Sequence, residues 1–218
     1  MNRTIKTRVK KVDLVNERRQ QIIVAATDVF LASSYHAATV SEVGERAGLS
    51  QGAIYNYLRS KNDILYLICD EAISAYLNAV TAVADDARSP ADRLVAAVRA
   101  IVEVMYDRQD LTLLFYREAH SLDWESHLAI RARLREFIQA IAGLIEEAAA
   151  AKAIAVASPT LAADILTYLP TVVALRAWRL RDTMSRREVV DGLTDFLLRG
   201  LGLGGLELHS RKDCPDQR

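Results

Sequence analysis

Apolar residues return every three or four positions along most of this chain, which is helical and not strand spacing. Ile22, Ile23, Ala26, Val29 and Phe30 form one such stripe and predict a first helix from about Asn16 to Ala32. The same reading predicts short helices over Val40–Ala47 and Gln51–Leu58. Longer ones follow over Lys61–Ala84, Pro90–Tyr106, Leu111–Ser121, Trp124–Ala153, Pro159–Arg181 and Arg186–Leu198. Helix starts are marked chemically. Thr39, Ser60, Ser89 and Ser185 each precede an acidic residue by three positions (Glu42, Asp63, Asp92, Glu188), the spacing at which a hydroxyl caps the helix and the acid reaches back. Pro90 and Pro159 follow Ser89 and Ser158, and proline is tolerated at the first helical position because that amide has no partner inside the helix. No sustained alternation and no Asn-Gly or Asp-Gly hairpin signal occurs. The expected fold class is all-α, with about nine helices, three short and six mostly long.

Composition narrows the class. Of 218 residues, 51% are hydrophobic and 26% charged, with 9 Gly and 4 Pro, as in a folded helical protein and unlike a disordered or collagenous one. Cys69 and Cys214 stand far apart and match no metal-ligand spacing, so a reducing, cytoplasmic setting is expected. The basic start lacks the apolar centre of a signal peptide, and no uninterrupted apolar run reaches membrane-spanning length. His36, His120, His127 and His209 share no helical face, so neither a metal nor a cofactor is assigned. No nucleophile–base set and no glycine-rich loop after a strand is found, so no catalytic residues are assigned and an enzyme has little support.

The net charge of zero is unevenly spread. Met1–Asp63 holds ten Lys or Arg against six Asp or Glu, and the remainder 18 against 22. Arg3, Lys6, Arg8, Lys10 and Lys11 precede the first acid, Asp13, as in an arm that meets nucleic acid or as in a solvated tail. Between the two short helices lie only Gly48, Leu49 and Ser50, the length and glycine placement of a helix-turn-helix. On a helical wheel Ile54 and Leu58 share a face toward Val43, Ala47 and Phe30, while Gly52, Tyr55 and Asn56 point outward. An outward helix with a glycine, an amide and a phenol suits a DNA groove. Gln51 and Asn56 would read base edges, Gly52 would let the backbone come close, and Tyr55 and Lys61 would hold phosphate. Tyr57 fits packing between helices better than DNA contact.

The segments "IIVAATDVF" and "TVSEVGERAGLSQGAIYNYLRSKNDIL", with Tyr35 between them, resemble the TetR-type bacterial transcriptional regulators. The likeness is close over about Arg18 to Leu65 and beyond that extends only to helical layout. Ser34, Gly44 and Leu58 depart from the residues usual there, and Gly44 is expected to weaken its helix. The resemblance implies a three-helix DNA-binding domain, a larger ligand-binding domain, and a homodimer that binds double-stranded DNA at a palindromic operator and represses until a small molecule binds. By position it implies phosphate contacts from Thr39, Ser41, Tyr55 and Lys61, and groove contacts from Gln51, Gly52, Ala53 and Asn56. The expected organisation is a basic flexible arm (1–15), the helix-turn-helix domain (16–63), the ligand-binding and dimerisation domain (64–204) and a polar flexible tail (205–218).

In the larger domain Arg117 and Arg176 interrupt apolar helices beside Phe115, Tyr116, Tyr168 and Trp178. Each arginine fits either an ion pair, with Glu118 or Asp164, or an anchor for an anionic effector such as an acyl-CoA. "FYRE" and "WRL" resemble regulators of acyl-CoA catabolism in layout, as multidrug-type regulators also do. Pro170 is expected to bend its helix and help open a cavity. Ile165, Leu169, Val172, Val173, Leu193, Phe196 and Leu197 exceed one core's needs and are expected to form a four-helix dimer interface. The alternative function is a helical small-molecule-binding protein or enzyme whose short helices are only scaffold.

Overall fold

The computed structural model describes residues 3–84 and 88–203. Among them there is no strand, and the helices are α1 (Val12–Ser33), α2 (Val40–Ala47), α3 (Gln51–Ile54), α4 (Lys61–Ala84), α5 (Pro90–Asp107), α6 (Gln109–Glu118), α7 (Trp124–Ala150), α8 (Pro159–Tyr168), α9 (Val172–Leu175), α10 (Ala177–Thr183) and α11 (Arg186–Gly200). Tight 3-10 turns follow α6 and α8. The tail expected over 205–218, and Cys214 with it, lies outside the described residues.

Capping sets most of the starts. Thr39 and Ser185 form complete capping boxes with Glu42 and Glu188. Ser89 and Ser158 accept the amides of Asp92 and Leu161 above a first-turn proline. Ser60 caps α4 through the Asp63 amide, but the Asp63 carboxylate reaches past it to the Arg59 amide and to Arg3. α4 is the central rod and packs on α1, α5, α6 and α7, while α8 lies on α7 and α11 on α5. Its stretch Lys61–Val83 is long and apolar enough to cross a membrane, although Asp63, Asp70 and Glu71 interrupt it. Here that apolarity serves the core: Ile64, Leu65, Ile68, Cys69, Ala72, Ile73 and Tyr76 are all fully buried or nearly so. Burial also pushes the Cys69 thiol up, away from reactivity.

Three expectations change. α1 begins at Val12, four residues early, and ahead of it Ile5 is buried while Thr4, Lys6, Thr7, Arg8, Lys10 and Lys11 are exposed. The second short helix ends at Ile54, because Tyr55, Asn56 and Tyr57 close a turn in which the Asn56 and Tyr57 amides bond three residues back. The helix expected over Pro159–Arg181 is three pieces. Pro170, lacking an amide hydrogen, sits in a 3-10 turn, and the bend of 72° falls later, between Pro159–Leu175 and Ala177–Thr183. Finally, the glycine at position 44, whatever it costs the helix, has a packing reason. A Cβ there would stand 2.6 Å from the Leu49 carbonyl oxygen, so glycine is what lets the turn close onto the helix.

Candidate nucleic-acid interface and its coupling to the larger domain

The α2–α3 unit is built by burial on one side. Val43, Ala47, Ile54 and Leu58 pack with Phe30 in the core, as their spacing predicts. Gly48 closes α2 in the left-handed region (φ 65), and Ser50 accepts the Ala53 amide to start α3. Tyr57 is half-buried against the same core, the packing role expected for it.

Burying that face leaves the opposite one open. Thr39, Ser41, Gln51, Gly52 and Tyr55 are exposed, and Ala53 and Asn56 half-exposed. Gly52 is informative because nothing inside the protein requires it: a Cβ there would meet only the Ser50 hydroxyl, at 4.0 Å. Its backbone is ordinary, so a side chain there would meet no conflict inside the protein.

Two residues of the expected interface also hold the protein together. Lys61 Nζ donates to the carbonyl oxygens of Ala38 (2.6 Å) and His36 (3.2 Å) and lies 4.7 Å from the centre of the Tyr35 ring. One ammonium hydrogen remains for an outside acceptor. The Asn56 carbonyl accepts from the Arg8 amide (2.9 Å) and from the Thr7 hydroxyl (2.9 Å), which binds the arm to the turn after α3.

The expected effector residues divide. Phe115, Tyr116 and Tyr168 come together, with ring centres 4.9 and 5.6 Å apart along that series, and burial beside Tyr168 pushes the Tyr116 phenol up. Trp178 is 68% exposed and Arg176 is exposed as well, and of the two alternatives for Arg176 the buried ion pair with Asp164 is not formed. Arg176 sits at the 72° bend between α9 and α10, and Trp178 lies just beyond it. Arg117 faces the other way, donating to Glu118 (2.8 Å) and to the Phe30 carbonyl (3.0 Å) at the end of α1. It is a strut between the helix-turn-helix and α6.

Sequence reasoning missed the rest of that junction. Asn62 donates to the Ser121 carbonyl and accepts from the Asp123 amide and the Ser126 hydroxyl, and His36 shares a hydrogen with the Ser121 hydroxyl at 3.0 Å. No periodicity marks these residues, since their partners stand 59 to 85 positions away.

The larger part also leaves an apolar ridge open. Leu161, Ile165, Tyr168, Leu169, Val172 and Leu175 lie along α8, the 3-10 turn after it and α9, with Phe196 on α11 66% exposed. Val173 and Leu197, expected in the same interface, are instead buried in their own subunit. Among the described residues no group of three His, Cys, Asp or Glu is placed to hold a metal.

A helix-turn-helix with a bare outer face, joined to a larger helical domain, defines a class of DNA-binding regulators. The profile of the bacterial regulatory proteins of the tetR family matches residues 22–66, and that of the tetracyclin repressor-like C-terminal domain matches 87–201. The chain belongs to the TetR family, whose members are transcriptional regulators and not enzymes. It is similar to the HTH-type transcriptional regulator HbdR of Aromatoleum sp. (strain CIB), with 34% identity over 128 residues, 59% of this chain and 56% of that protein. The chain spans about half the length of the curated relatives it matches. A tetR-family regulatory protein from Rhodococcus RHA1 shares the fold with a TM-score of 0.77 and 27% identity, over 84% of this chain and 96% of that one. AibR, solved in complex with isovaleryl coenzyme A and operator DNA, shares the fold with a TM-score of 0.71 at 16% identity, over 82% and 97%.

Proposed function

We propose that the chain is a ligand-responsive repressor that binds a palindromic operator as a homodimer and is released by a small hydrophobic or acyl-CoA-like effector. The observation that carries the DNA reading is the exposed glycine Gly52 between Gln51 and Tyr55, on a helix whose inward residue, Ile54, is buried. Backbone can approach a groove closely only where no side chain intervenes. In this reading Gln51, Ala53 and Asn56 meet base edges, while Thr39, Ser41, Tyr55 and the free hydrogen of Lys61 meet phosphates. The apolar ridge on α8, α9 and α11 supports the dimer, since a patch of that size needs covering and a twofold protein matches a twofold operator.

For the effector, support comes from the Phe115–Tyr116–Tyr168 group and from the coenzyme A thioester that AibR carries. Tyr76 and Thr112, paired at 2.7 Å inside the same core, supply polar atoms between α4 and α6. Arg117 acts as the relay: a ligand that displaces α6 pulls on the Phe30 carbonyl and so on α1 and the reading head. A shift of balance from 1:99 to 99:1 needs a differential affinity of about 5.5 kcal/mol, which two bound effectors per dimer can share.

Selection of duplexes from a random library, followed by gel shift with the chain's own upstream DNA, tests the central reading. Tyr55→Ala and Lys61→Ala should weaken binding to every sequence, and Gln51→Ala should change which sequence is preferred. Failure of the folded wild-type dimer to enrich any sequence overturns it. A promoter–reporter fusion decides the sign of control, and titration of the bound complex with short-chain acyl-CoAs tests the effector class.

A further inference from the structure

The N-terminal arm is held where it runs past the reading head. Arg19 donates to the carbonyl oxygens of Ile5 (2.8 Å) and Tyr57 (3.1 Å), tying the arm and the turn after α3 to α1. Arg3 pairs with the buried Asp63 at 2.8 Å, and its guanidinium lies over the Tyr66 ring. Arg8 and Thr7 add the two bonds to the Asn56 carbonyl. These anchors divide the arm's cations into two kinds. Arg3 is spent on structure, whereas Lys6, Arg8 and Lys10 are exposed and make no ion pair among the described residues.

Between the arm and the turn lies an open cleft of ≈ 520 Å³, lined by Lys6, Thr7, Arg8, Tyr55, Leu58 and Arg59. Three of its six residues are cationic and none is acidic. Its one aromatic wall, Tyr55, belongs to the exposed face of the reading head. Three uncompensated cations side by side repel one another, and an anion removes that repulsion. We propose that this cleft is a second backbone site for operator DNA, in which Lys6, Arg8 and Arg59 hold a phosphodiester flanking the segment that the reading helix contacts. The inference rests on the DNA-binding reading above and extends it to residues outside the helix-turn-helix. Because the arm is already docked, closing on the phosphate costs little ordering of the chain, unlike a tail that must fold on contact.

The test uses full-length protein and a duplex selected by the wild type, with affinity measured by fluorescence anisotropy across a range of KCl concentrations. Lys6→Ala/Arg8→Ala and Arg59→Ala should each weaken specific and random duplexes by the same factor. The slope of log affinity against log salt should fall by about 0.9 for each cation removed from a phosphate. Arg135→Ala, at an exposed position on α7, should leave the slope unchanged. Ethylation of individual phosphates should interfere with wild-type binding at one flanking position per half-site, and that interference should vanish in Lys6→Ala/Arg8→Ala. If removing Arg8 disturbs the docked arm, Lys6→Gln alone reports on the same phosphate. Wild-type slope and interference in all three cleft variants would overturn the cleft. A wild type that selects no duplex would instead overturn the regulator reading itself.

Discussion

From Thr39 to Tyr55 the exposed residues are short or polar, with Gly48 and Gly52 among them free of close internal contacts; from Leu161 to Leu175, Asp164 apart, they are apolar and aligned along a ridge. Both surfaces belong to helices whose opposite faces are fully packed. What differs is the kind of contact each withholds from the core. The first keeps hydrogen-bonding groups and backbone accessible, which suits a polar groove. The second keeps apolar area, which suits a matching protein surface that excludes water.

Introducing charge on the ridge is the strongest way to break this contrast. Ile165→Asp with Phe196→Asp should give a folded monomer by sedimentation and lower operator affinity by about 10²- to 10⁴-fold, the avidity that linking two reading heads supplies. A dimer that persists would place the interface elsewhere. Next in size are two glycines that look alike in the sequence. Gly44→Ala should cost about 1–3 kcal/mol in urea unfolding, because its Cβ meets backbone and not a flexible side chain. Gly52→Ala should leave stability unchanged or raise it by up to about 1 kcal/mol, while DNA binding falls. Equal stability losses at both would mean that Gly52 serves packing after all.

The two arginines sharpen the comparison further. Arg117→Ala leaves the buried Glu118 carboxylate and the Phe30 carbonyl each short of a partner, an expected loss of about 1–3 kcal/mol and a blunted response of DNA release to effector. Arg176→Ala, at an exposed side chain with no ion pair among the described residues, should stay within about 0.5 kcal/mol of wild type. The smallest expected effect concerns acid. Hydrogen bonds from Thr39 hold Glu42 below its ordinary value, as those from Ser185 hold Glu188. A depressed carboxylate contributes stability above its unfolded pKa and loses it as pH falls through the folded one. The starts of α2 and α11 should therefore fray below the usual carboxylate range, and Glu42→Gln should flatten that part of the pH profile measured by hydrogen exchange.

What the sequence by itself determined is local: the class, the caps, the boundaries of α2 and α4, the buried stripe of the reading head and its bare outer face. Those features depend on residues within a turn or two of each other, so spacing alone reveals them. The tertiary structure decided the docking of the arm through Arg3 and Arg19, the turning of Arg117 toward the Phe30 carbonyl, the junction at Asn62, the bend after Leu175 and the exposure of Arg176 and Trp178. Arg3 and Asp63 are 60 positions apart, and Arg117 and Phe30 are 87. An arginine bears five donors and a long stem whatever its destination, and only the packing of α4 between the two halves brings an acceptor within its reach.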